Sequence, residues 1–234
     1  MIGNPNRSWL QNSFFLANAL NRLLCLSIVF SVLLALIRVI HTGHVDYIFL
    51  VWNLLLGGIP CFISQWLTQR TGWIRRPFAF SMGLLVWLLF IPNSFYMLTD
   101  LFHLIGESND QIVPFWYDLI LIFSFAWNGL ILGILSIRQM EKLLKNYFPR
   151  MGELVFLYPV MWMNALGVYI GRYLRYNSWD VLTNPIQLAQ DIFRLLFHPF
   201  IYQRAWGMIF CFSTLMTLMY LTLKKLASPN NGLQ

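Results

Sequence analysis

Asp100 and His103 stand three residues apart in the segment IPNSFYMLTDLFHL at 91–104, and Asp118 opens the next apolar run. On a helix that spacing puts both side chains on one face, with the Thr99 hydroxyl beside them. Two carboxylates and an imidazole within reach could hold Zn²⁺, Mn²⁺ or Fe²⁺ with open coordination positions, or could serve as general acid and base. The same groups could instead close on nearby cations as an ion-pair network, and D-x-x-H is common by chance. Cations of the right kind stand in the segment RYLRYNSWD at 172–180, where Arg172 and Arg175, three residues apart at the outer end of the fifth apolar run, share a helical face. They could take Asp100 or Asp118 as bidentate partners, or stay open to grip a phosphate or carboxylate, including a lipid head group. Asn177, Ser178 and Asp180 also suit a chain turn, and Trp179 suits a membrane interface.

Other constellations are weaker. His41-x-x-His44 with Asp46 is a further ligand set on paper and a short polar loop in the plainer reading. There is no GxSxG, HExxH, phosphate-binding loop or GxGxxG, so familiar hydrolase and nucleotide-binding chemistry is disfavoured. Cys25, Cys61 and Cys211 all fall inside apolar runs, where a thiol behaves as a small hydrophobe and no disulfide framework is indicated.

The elements that must position these groups are membrane helices. Of 234 residues, 58% are hydrophobic and only 11% charged, and runs at 23–40, 47–66, 77–98, 115–137, 152–173 and 203–223 are each near the length that crosses ~30 Å of hydrocarbon. Unpaired strands would leave backbone groups unsatisfied in lipid, so the chain reads as an all-α polytopic bundle forming a single integral domain over 1–234. The net charge of +7 then speaks to topology and to anionic lipid, and nucleic acid is excluded as a partner because no basic face is interleaved with polar surface. No small-residue cleavage site follows the first run, which reads as an uncleaved span.

Placing both termini in the cytoplasm puts Arg7, Arg22, Arg70, Arg75, Arg76, Arg138, Lys142, Lys145, Arg150, Lys224 and Lys225 inside, and leaves Arg38, Arg172, Arg175, Arg194 and Arg204 outside. That orientation also gathers Asp46, Asp100, Glu107, Asp110, Asp118, Asp180, Asp191 and every histidine on the outer side, against Glu141 and Glu153 inside. Asn53 and Asn128 are candidates for polar contacts within the bundle, and Trp52, Trp87 and Trp127 read as packing or lipid-facing residues.

Two local features shape the outer face. Pro92 removes a backbone donor and predicts a kink near Asn93, below the outer boundary, with Asp100 near that boundary. Asn184-Pro185 offers a helix start, after which Gln187, Gln190, Asp191, Arg194 and His198 recur three or four apart among Ile186, Leu188, Ile192, Phe193, Leu196 and Phe197. This predicts an amphipathic helix over about 186–197 lying in the interface and stopped by Pro199, as an anchor or as a lid.

Together, IPNSFYMLTDLFHL at 91–104 and GRYLRYNSWDVLTNP at 171–185 resemble segments PN-x-PY-x-x-TD-x-x-HL and G-R-x-x-R-x-NSWD of the bacterial multi-span family catalogued as domain of unknown function 1361. The similarity runs over most of the chain and departs at Ser94-Phe95, where the family pattern has proline before tyrosine. It implies a six-helix fold in a bacterial inner membrane and singles out Pro92, Asn93, Tyr96, Thr99, Asp100, His103, Arg172, Arg175, Asn177, Trp179 and Asp180. It implies no reaction.

The sequence therefore predicts a polar site at the extracytoplasmic interface, binding a lipid head group or small polar or anionic ligand. Arg172, Arg175, Asn177, Trp179, Asp180, Asn93, Tyr96 and Thr99 would do the binding, while Asp100, His103 and Asp118 orient or titrate. Two alternatives stay open: a membrane enzyme acting on a lipid, with a divalent metal on Asp100, His103 and Asp118, and a structural subunit of a complex or homo-oligomer.

Overall fold

The computed structural model describes residues 7–69, 76–106, 113–150 and 152–227, the side chains of 7–19 and 105–106 excepted. Every regular element in them is helical: α1 (Arg7–Thr42), α2 (Phe49–Gln69), α3 (Pro77–Tyr96), a 3-10 helix (Met97–Phe102), α4 (His103–Gly106), α5 (Phe115–Tyr147), α6 (Glu153–Tyr173), α7 (Asp180–Thr183), α8 (Pro185–Phe197) and α9 (Gln203–Leu226). Six segments, Leu20–Thr42, Phe49–Gln69, Pro77–Phe102, Phe115–Tyr147, Glu153–Tyr173 and Gln203–Leu226, are long and apolar enough to cross a membrane, which makes this a multi-pass membrane protein. The boundaries follow backbone chemistry. Gly43 ends α1 at φ 71, and Pro77 and Pro185 occupy the first turns of α3 and α8, where a missing N–H costs nothing.

Helix ends differ from the apolar runs where charge sets in before the helix stops. The run at 115–137 continues as helix to Tyr147, because Met140, Leu143 and Leu144 recur at helical spacing and are buried. The helix α3 runs through Pro92 to Tyr96, and beyond it the pitch tightens into the 3-10 helix.

The chain divides into two compact units, residues 1–52 with 100–128, and residues 53–99 with 129–234. In the first, α1 and the start of α5 are joined by polar contacts. Arg38 donates to both carboxylate oxygens of Asp118 at 2.7 and 3.2 Å, Tyr117 donates to the Leu34 carbonyl at 2.8 Å, and the Asn128 amide donates to Ser31 at 2.9 Å.

In the second unit α6 packs against both α3 and α9 around Trp87, Ile91, Phe95, Leu157, Met161, Val168, Ile209 and Met216. The end of α3 is ringed by glycines from three helices. A Cβ on Gly57 of α2 would meet Ser94 Cα at 3.3 Å, one on Gly129 of α5 the Ser94 carbonyl at 2.6 Å, one on Gly133 the Phe95 ring at 2.6 Å, and one on Gly171 of α6 the Tyr96 ring at 3.3 Å. A Cβ on Gly167 would press into the Pro92 ring, 2.8 Å from its Cβ. In a membrane, where lipid tails are as apolar as leucine, such close backbone approach is a main source of helix association. Polar side chains reinforce it: Ser94 donates to the Gly57 carbonyl at 2.7 Å, and Trp87, Ser136, Ser64 and Gln139 form a hydrogen-bonded chain with steps of 2.8, 3.1 and 2.7 Å.

At the opposite ends of these helices, Glu141 is buried and fully engaged. It accepts from Lys224 and Lys145, each at 2.6 Å, and from the Tyr220 hydroxyl, while Lys224 also reaches Glu153 at 2.8 Å. Glu141 and Glu153, the two acids expected on the inner side from sequence, thus belong to one network joining α5, α6 and α9.

Gly167→Ala should lower the stability of the detergent-solubilised protein by about 1–3 kcal/mol through overpacking against Pro92. Gly207→Ala, whose Cβ would meet nothing within 4 Å, should be neutral or mildly stabilising. Equal effects in thermal unfolding would refute the packing argument.

Candidate functional site

The segment after α6 carries most of the residues singled out from sequence. The helix ends at Tyr173 and Arg175 takes φ 59, so Arg172 and Arg175 do not share a helical face as expected. Arg172 remains helical and leans on Tyr96, its guanidinium donating to the phenol oxygen at 3.4 Å and lying 5.8 Å from the ring centroid. Arg175 is exposed. A non-glycine residue in the left-handed region carries strain of order 1 kcal/mol, because Cβ crowds the following carbonyl.

Beyond Arg175 the chain turns on Asp180. Its carboxylate accepts from the Asn177 backbone N–H at 2.6 Å and from the Thr183 hydroxyl at 2.9 Å. The Asn177 bond, with the Thr183 bond second, stabilises the charged form and holds Asp180 below the usual carboxylate range. Two further bonds hold this turn in place. Asn93 of α3 donates to Ser178 at 2.9 Å and to its own Phe90 carbonyl at 3.0 Å, while Tyr176 donates to Asp191 of α8 at 2.8 Å. The bond to Asp191 pushes the Tyr176 phenol above its ordinary value. Thr99 is buried and bonds the Tyr96 carbonyl at 2.6 Å, and Trp179 is exposed at the start of α7.

The three titratable candidates are placed differently. Asp118 takes Arg38, where the sequence suggested Arg172 or Arg175, and Arg38 also lies 3.6 Å from Asp46 and 4.2 Å over the Tyr47 ring. Asp100 is buried in the 3-10 helix, and His103 stacks on Phe49 with centroids 5.2 Å apart. Among the described residues no three His, Cys, Asp or Glu side chains gather as metal donors, so Asp100, His103 and Asp118 do not form the donor set drawn from sequence, nor do His41, His44 and Asp46. Asp46 and Asp118 already serve Arg38, a residue the sequence offered only as an outer positive charge.

The helix α8 has three sides. At ~100° per residue, Leu188 and Leu195 fall together and are buried; Ile186, Phe193 and Phe197 fall on a second side and are exposed; Gln187, Gln190, Asp191 and Arg194 line a third. Beside the polar side lies an open hollow of about 510 Å³, walled by residues of α7 and α8 between Thr183 and Arg194. Arg194 stands 3.9 Å from Asp191, one turn back on the same helix.

The family described as protein of unknown function (DUF1361) matches residues 52–219. The chain belongs to this family. The match takes in both segments on which the resemblance rested, from the glycine-ringed end of α3 to the turn after α6, and extends through α8 into α9. No protein of curated function and no solved structure matches the chain.

Arg38→Ala should cost about 3 kcal/mol by leaving Asp118 with a half-buried, unpaired charge, and the Arg38→Ala/Asp118→Ala double variant should cost less than the sum. Additive losses in equilibrium unfolding would show that the two residues are not coupled. Asp180 should order the turn at every pH above the ordinary carboxylate value of about 4, and lose that effect as pH falls through its lower folded value. Exchange of the Asn177 amide, corrected for its intrinsic rate, should therefore accelerate only as pH falls below the ordinary carboxylate range. In Asp180→Asn it should be faster throughout and free of that transition.

Proposed function

We propose that the protein binds the polar head group of a membrane lipid, or a small polar ligand of like chemistry, on the surface formed by the turn at 174–184 and α8. With the termini placed in the cytoplasm by the arginine and lysine distribution, this surface faces outward. The observation that carries the reading is the three-sided α8. One side is anchored in the protein, one is apolar and open to acyl chains, and one is polar, which is the requirement for a helix lying at the level of head groups. Trp179, Phe200 and Ile201 are exposed nearby in sequence and extend the interfacial character of the segment.

Arg175 supports the same reading. Its backbone strain would be relieved by glycine, yet a long cation stands there, exposed, directly after a helix end. Strain of this kind persists where the side chain has a use, and an exposed guanidinium suits the phosphate of a head group.

Arg175→Gly separates the two roles. The variant should unfold at the same temperature as the parent or slightly higher, since backbone strain is removed, while retaining several-fold less anionic lipid through purification. Arg175→Lys should keep most of the retention. Unchanged lipid content in Arg175→Gly, measured by mass spectrometry of extracted lipids, would sink the proposal.

A further inference from the structure

The hollow beside α8 has a chemistry of its own, and we infer that it is a subsite for a hydroxyl-rich head group, a polyol or saccharide carried on a lipid. The inference rests on the head-group reading above and deepens it. The polar side chains that wall the hollow are Thr183, Asn184, Gln187, Gln190, Asp191 and Arg194. Their formal charges cancel, and the single cation already stands 3.9 Å from the single anion. A phosphate placed here would meet one shared guanidinium and one repelling carboxylate, so the hollow is a poor phosphate site.

Hydroxyl groups fit it better. Each hydroxyl donates once and accepts from up to two partners, and the three amides offer both donors and acceptors at neighbouring positions. The Asp191 carboxylate adds acceptor capacity on an oxygen position fixed by Tyr176, and the Arg194 guanidinium adds donors without net charge in the pair. The hollow is open, with about 510 Å³ of space beside α8, so a head group would lie against the helix with one side still in solvent.

The lipid assignment comes from Ile186. This residue walls the hollow and is 73% exposed on the apolar side of α8, so the polar space opens onto the stripe that continues through Phe193 and Phe197. The two phenyl rings stack with centroids 5.8 Å apart and form a smooth apolar track. A head group in the hollow would leave its acyl chains along that track, whereas a free sugar would leave the apolar surface unused.

Native mass spectrometry of the detergent-solubilised full chain, titrated with single lipids, tests this directly. Galactosyl diacylglycerol and phosphatidylglycerol should bind more tightly than phosphatidic acid and phosphatidylcholine, which lack free head-group hydroxyls of this kind. Gln187→Ala/Gln190→Ala should weaken the two preferred lipids by about tenfold, the loss expected from two hydrogen bonds, and leave phosphatidic acid unchanged. Both glutamines are exposed, so folding is not at stake, and Ile186→Ser should weaken lipid binding while sparing methyl galactoside. Tight phosphatidic acid with no preference for the hydroxyl-bearing lipids would overturn the inference and leave the head-group reading standing. Indifference of all four lipids to the glutamine variant would also overturn it. Methyl galactoside binding as tightly as the galactolipid would remove the lipid assignment, and failure of every lipid to bind would remove the head-group reading itself.

Discussion

The close approach of three helices to the end of α3 is the constraint from which the organisation of the larger unit follows. Gly57, Gly129, Gly133, Gly167 and Gly171 leave no room for a methyl group without displacement, so residues 92–97 are held by backbone and ring contacts on several sides. A proline in a membrane helix frees a carbonyl and weakens the helix locally. Here the weak point is enclosed, and side chains take up the polar burden: Ser94 reaches the Gly57 carbonyl, and Asn93 reaches Phe90 and Ser178. Because α3 is fixed, Asn93 and Tyr96 become fixed supports for Ser178 and Arg172 respectively. The surface segment after α6 inherits its position from this buried contact.

The polar residues divide into those that hold the protein together and those that face outward. Asn93, Tyr96, Thr99 and Asp180 bond to neighbours or to the backbone, which is structural work at the base of the site. Arg175, Trp179 and, on the polar side of α8, Gln187, Gln190 and Arg194 are exposed. The proposed head-group surface would separate support from recognition. The supporting groups are hydrogen-bonded within the fold, where an unpaired group would be costly, and the exposed groups would stay hydrated until a ligand arrived.

Charge pairing was the least legible part of the sequence. Asp118 and Arg38 are eighty residues apart, and several arginines competed equally well for each acid on grounds of chemistry alone. Helical spacing says which side chains share a face, but it does not say which faces meet. The burial of Glu141 beneath Lys145, Lys224 and Tyr220 was hidden for the same reason, since its helix continues past the point where hydropathy falls. Arg172 and Arg175 show a different limit. A three-residue spacing implies a shared face only while the helix lasts, and the helix stops between them.

The sequence by itself determined the helical class, the six apolar segments, the start of α8 at Asn184-Pro185 and the family, because these depend on local quantities: hydropathy over about 20 residues, the fixed φ of proline, and short motifs. It also marked the two segments from which the candidate site is built. Tertiary structure decided that Asp118 takes Arg38, that Asn93 supports the turn through Ser178, and that the apolar residues of α8 split between a buried side and an exposed one. Those outcomes depend on distances between residues far apart in the chain. They are set by how closely helices can approach, and that is governed by the glycines opposite Pro92 and its neighbours.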